Sequence, residues 1–206
     1  SMGEFYDEAF EYAQLVESKM GIDSSEWMRN QGVFMTLATG FGVAGDRAYK
    51  MSQQLTQLGY DLSSFYNISV EDAMKKIKSG FAGELEPLRR LGYALDIATL
   101  QQVAYEHGIN KSVNAMTHAE KSQLRYVAIM EQSGNAMGDL ARTVQTPANA
   151  LRILKQQVTQ LQRALGNLLI PTLQKLLPIV QTVVEVATEL VQRFADLAGF
   201  VLPEID

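Results

Sequence analysis

Six residues, G-F-G-V-A-G from Gly40 to Gly45, have the types and spacing that could do chemistry. The G-x-G-x-x-G spelling suits a loop whose glycines let backbone amides approach a pyrophosphate, with a helix N-terminus behind them. V-F-M-T-L-A-T at 33–39 could be a buried strand before that loop, and D-R-A-Y-K-M-S-Q-Q-L-T-Q-L after it reads as a helix. Asp61 falls roughly 20 positions on, where such a fold sets an acid for a ribose hydroxyl. A nucleotide-binding enzyme working through Gly40–Gly45 is therefore one reading, to be weighed against a turn between two helices.

Other candidate chemistry is sparse. Glu84 and Glu86 stand two apart in a short helix and point in different directions, so they do not make an acid–base pair on one face. His107 precedes a terminating glycine and His118 lies inside a capping sequence, which makes both surface residues at helix ends. Glu86 and Arg90 suit an i,i+4 ion pair, and with Arg89 they form a candidate partner patch whose plainer reading is a solvated face. The chain has no cysteine and two histidines. Disulfides, thiolate nucleophiles and multi-histidine zinc sites are excluded accordingly. No catalytic, cofactor or metal residue is assigned.

The elements that must position these residues read as helices throughout. Residues 4–20 repeat apolar side chains at helical spacing and stop at Gly21. Asp23-Ser-Ser-Glu26 spells a helix start, and a helix from there to about Thr39 would absorb the supposed strand. Further helices are predicted at 46–58, ending at Gly59; from Ser69 to Ser79, stopped by Gly80; at Glu84–Leu91, with Pro87 in the first turn; and from Asp96 to Glu106, before Gly108. Thr117-His-Ala-Glu120 is a capping box for a helix running through Met130. The two L-G-Y copies at 58–60 and 91–93 share a capping idiom and no flanking sequence, so they are not a repeat.

Thr146-Pro147 opens a last element of different character. Leu151, Leu154, Val158, Leu161, Leu165 and Leu168 step by 3, 4, 3, 4 and 3, a heptad seam; beyond Pro171 it resumes at Leu173, Leu177, Val180, Val184, Ala187, Val191 and Phe194. The expectation is all-α: a globular cluster of short helices over 3–143, then a long amphipathic arm over 146–202, kinked at its prolines. Ser1-Met2 reads as an expression-tag remnant. An apolar stripe of that length must be covered, either by the domain itself or by self-association, so the seam is a candidate assembly face.

Composition narrows the classes further. The chain has 206 residues, 47% hydrophobic and 20% charged, with net charge −5. That suits a folded chain with a real core and does not offer the clustered positive field that nucleic acid requires. Lys175, Glu185, Glu189, Arg193 and Asp196 interrupt the most apolar region, 164–202, so no stable membrane span is expected. A membrane-active or partner-binding arm remains the alternative function.

Several long stretches, in order, carry a resemblance. E-W-M-R-N-Q-G-V-F-M-T-L-A-T-G-F-G-V-A (26–44), Q-L-T-Q-L-G-Y-D-L-S-S-F-Y-N-I-S-V-E-D-A-M (54–74), S-G-F-A-G-E-L-E-P-L-R-R-L-G-Y (79–93), M-T-H-A-E-K-S-Q-L-R-Y-V-A-I-M (116–130), L-R-I-L-K-Q-Q-V (151–158) and G-N-L-L-I-P-T-L (166–173) resemble the core region of phage and prophage tail tape-measure proteins. The resemblance implies a structural protein and no enzyme. Such chains are long and helical, tail-tube subunits polymerise around them so that chain length sets tail length, and they leave ahead of the genome. It implies the virion tail lumen as location, the host cytoplasm during assembly, and tail-tube and tail-tip proteins, with further copies of itself, as partners. A helix of 206 residues reaches only about 300 Å at ~1.5 Å each, so the expectation is an excised segment of a longer chain or a degenerate prophage remnant. Its share of the work is then a folded node that organises copies or docks them to a tail protein.

Overall fold

A computed structural model describes residues 2–143, 146 and 158. Those residues are 76% helical with no strand, which bears out the all-α expectation for them. The expected arm lies outside the described residues, except for Thr146 and Val158. A 3-10 turn, Met2–Phe5, leads into α1 (Tyr6–Met20), α2 (Ser24–Gly40), α3 (Gly45–Tyr66), α4 (Val70–Ala82), α5 (Glu86–Arg89), α6 (Ile97–Glu106), α7 (His118–Gln132) and α8 (Asp139–Thr143).

Two compact units divide the chain: Ser1–Gln14 with Ser24–Arg142, and Leu15–Asp23 with Thr143–Asp206. In the second, the end of α1 is described. Gly21 takes φ of 66°, and its N–H donates to the Glu17 carbonyl at 3.0 Å, closing the helix where the sequence places the stop.

The first unit is built around α3. Ala48, Tyr49, Met51, Leu55, Leu58, Tyr60 and Leu62 are all buried, so this helix is covered on most of its circumference and serves as the core. Its buried Ser52 and Thr56 hydroxyls donate back to the Tyr49 and Ser52 carbonyls at 2.7 and 2.8 Å, which satisfies them without a tertiary partner. Helices α2 and α4 pack on α3, while α7 packs on α4 and α6. Trp27 of α2, fully buried, stacks on Tyr60 at 5.5 Å and donates its indole N–H to Gln31 at 3.0 Å.

Two expected helix stops are not stops. Helix α3 runs through Gly59 to Tyr66 and ends where Asn67 takes φ of 51°. Helix α4 runs through Gly80 to Ala82 and ends at Gly83, φ 106°. A Cβ at Gly59 would collide with Met74 Sδ, and one at Gly80 with Leu88 Cδ1. Both glycines are there to admit a side chain from the next helix, and a close approach in the tertiary fold overrides the local stop signal. The helix expected at 84–91 contracts to Glu86–Arg89, and residues 139–143, which the sequence pattern leaves unassigned, form α8.

Candidate docking groove

The glycine loop is settled by its hydrogen bonds. Helix α2 continues to Gly40, so 33–39 is helix and not strand, and α3 opens at Gly45. Gly42 takes φ of 87° and donates to the Thr39 carbonyl at 2.9 Å, while Val43 donates to Ala38 at 3.0 Å, which is the paired closure of a Schellman helix end. Those two amides are therefore committed to α2, and the loop has helices on both sides where a dinucleotide fold needs a strand before it.

Asp61, the presumed ribose acid, is buried on α3 and faces the start of α8. Its carboxylate accepts the Gly138 N–H at 3.0 Å and the Leu140 N–H at 3.2 Å. Burial pushes its carboxyl above the ordinary value, the two amides and Gln57 pull it back down, and the charge of Asp139 adds to the rise.

The other candidates lie apart. Glu86 is paired with Arg89 at 2.6 Å and Arg90 at 3.4 Å on an exposed face. His107 meets Glu131 at 2.7 Å, while His118 is the exposed first residue of α7. Among the described residues no group of His, Cys, Asp or Glu could hold a metal ion. The seam residues Leu151, Leu154, Leu161, Leu165, Leu168, Leu173, Leu177, Val180, Val184, Val191 and Phe194 lie outside the described residues. Val158, which is described, is helical and half-buried.

What the fold does assemble is a groove of about 480 Å³ between α2 and α4. From α2 come Glu26, Arg29, Asn30, Val33 and Phe34; from α4 come Val70, Glu71, Met74, Lys75 and Lys78. Helical spacing aligns each set on one wall. The α2 wall is fixed by Tyr60 beneath it, whose hydroxyl accepts from Asn30 Nδ2 and donates to Glu26, both at 3.2 Å. Burial, then the Glu26 charge, pushes that phenol well above its ordinary value, so it remains a donor across the working pH range. On the α4 wall, Met74 lies against the bare backbone of Gly59, which sets the depth of the floor.

The floor is apolar, and Val33 is 43% exposed there. Arg29, Lys75 and Lys78 stand exposed around it, and among the described residues none of the three has a carboxylate within ion-pair distance. A smaller groove of about 250 Å³, lined by Asp72, Lys75, Lys76, Glu86, Pro87 and Arg90, adjoins it through Lys75. Of the expected patch Glu86, Arg89 and Arg90, Glu86 and Arg90 line this smaller groove and Arg89 does not; Arg29, Lys75 and Lys78 are cations that sequence reasoning missed. The usable signal was A-M-K-K-I-K at 73–78, in which apolar residues on one face of α4 alternate with lysines on its flank.

No protein-family model matches this chain, and no curated protein and no solved structure matches it either.

Proposed function

We propose that this chain is a segment of a phage or prophage tail tape-measure protein, a structural component of tail assembly and length determination rather than an enzyme. The observation that carries the reading is the ordered series of tape-measure-like stretches from 26 to 173, of which G-E-L-E-P-L-R-R-L-G at 83–92 is the most specific. The helical fold of the described residues is consistent with it, since a family of long helical chains requires helix-forming sequence throughout. Within such a chain the first unit acts as a folded node that docks tail-tube or tail-tip proteins, and the seam at 151–194 associates copies.

The test is genetic. Removing the coding segment in frame from the parent phage or prophage is expected to abolish tails or change their length under the electron microscope. Tails of unchanged number and length would overturn the proposal. The enzyme reading has its own check: millimolar NAD or ATP is expected to leave the melting temperature unchanged, whereas a dose-dependent rise would favour nucleotide binding.

A further inference from the structure

We propose that the groove between α2 and α4 binds an acidic amphipathic helix from a partner protein. The inference concerns what this surface recognises and stands independently of the tail assignment.

The shape argues for a helix. Along α4 the groove residues Val70, Met74 and Lys78 step by four, a rise of about 12 Å at ~1.5 Å per residue, or roughly two helical turns. The α2 wall runs from Glu26 to Val33, again about two turns. Between them Val33 and Val70 present an apolar floor, with the buried Phe34 and Met74 packed beneath it, the arrangement that receives anchors at i, i+3 or i+4, and i+7.

The charge argues for an acidic one. Arg29, Lys75 and Lys78 rim the floor without carboxylate partners among the described residues, whereas neighbouring Lys76 is paired with Asp72 at 3.4 Å and Arg89 with Glu86 at 2.6 Å. Of the two groove carboxylates, Glu26 accepts from Tyr60, and Glu71 sits in the first turn of α4, where a negative charge is favoured by the helix dipole. With those two carboxylates counted, the lining sets three cations against two anions, a net charge of +1, and complementarity selects carboxylates. Nucleic acid fits poorly, because binding it through stacking needs an exposed ring and Phe34 is 2% exposed.

The test uses the full chain and two fluorescent synthetic helices of about four turns, each with leucines at i, i+4 and i+7. One carries glutamates beside the leucines and the other lysines at the same positions. By anisotropy the chain should bind the glutamate helix about tenfold more tightly than the lysine helix, less so as salt is raised. Lys75→Glu combined with Lys78→Glu should invert that preference. Val33→Ser should weaken both helices, and circular dichroism of each variant verifies its fold. Equal affinity for the two helices, binding of neither, an uninverted preference in the double variant, or displacement of the glutamate helix by an equal concentration of duplex DNA would each overturn the proposal.

Discussion

Helices α7 and α8 both begin at a carboxylate, and the two starts are built in opposite ways. At α7 the cap is local: Thr117 Oγ1 accepts the Glu120 N–H at 3.2 Å, Glu120 accepts the Thr117 N–H at 2.7 Å, and Lys111 reaches the same carboxylate at 2.8 Å. At α8 the cap is remote, because Asp61, far back on α3, supplies the acceptor for Gly138 and Leu140. Glu120 stands in solvent, and Lys111, followed by the Thr117 amide, holds its carboxyl down at about 2. Burial drives Asp61 the other way, above its usual range. The same bond between carboxylate and amide thus answers acid with opposite sign according to what surrounds it.

Removing the remote cap should have the largest effect. Asp61→Ala removes the carboxylate that accepts the Gly138 and Leu140 amides, and should cost about 2–3 kcal/mol in urea unfolding, with faster hydrogen exchange confined to α8. A loss no greater than that of a surface cap would erase the distinction between the two helix starts.

Gly80→Ala extends the contrast to glycines that look local and act at a distance. The new methyl meets Leu88, which is fully buried, so about 1–3 kcal/mol is expected. Gly59→Ala should cost less, since Met74 can bend away while both helices gain propensity. Equal losses in paired melting curves would show that side-chain flexibility is not what separates them.

Thr117→Ala, which removes the local cap, should cost about 1 kcal/mol by the same unfolding assay.

Acid titration is the sharpest comparison, although its effects are smaller. Glu120 has a lowered carboxyl, so its stabilising contribution is complete above the ordinary value of 4.5 and is lost as pH falls toward about 2. The advantage of the native chain over Glu120→Gln should therefore shrink across that window. Asp61 has a raised carboxyl, so the pH-dependent part of its contribution is complete below 3.8 and is lost as pH rises through the higher folded value. Relative to Asp61→Asn, the native chain should lose ground with rising pH. Curves of the same sign for both pairs, measured as urea midpoints, would contradict the assignment of burial as the cause.

These two helix starts also mark how far the sequence could be read. Asp96, Ser69 and Thr117-Glu120 announce helices because every atom of the cap lies within three residues, and all three are found as expected. Gly59, Gly80 and α8 were misread or missed because their reasons lie in Met74, Leu88 and Asp61, residues distant in sequence that only packing brings near. The groove follows the same rule. The Glu86–Arg90 pair of the adjoining smaller groove shows in the i,i+4 spacing, whereas Arg29 joins Lys75 and Lys78 only once α2 and α4 lie side by side. The glycine loop misled in the reverse direction, since a helix end and a phosphate loop both call for glycine.

The positive rim at Arg29, Lys75 and Lys78 belongs to a chain whose net charge is −5. An acidic partner approaching from afar is therefore repelled by the whole molecule, and is drawn in only once it is closer to the rim than about one Debye length, ~8 Å at physiological ionic strength. Added salt should then speed encounter, by screening the long-range repulsion, and also speed release, by weakening the short-range pairs. An affinity that changes modestly with salt would conceal two rates that each change more, and this surface would exchange its partners fastest where ions are most abundant.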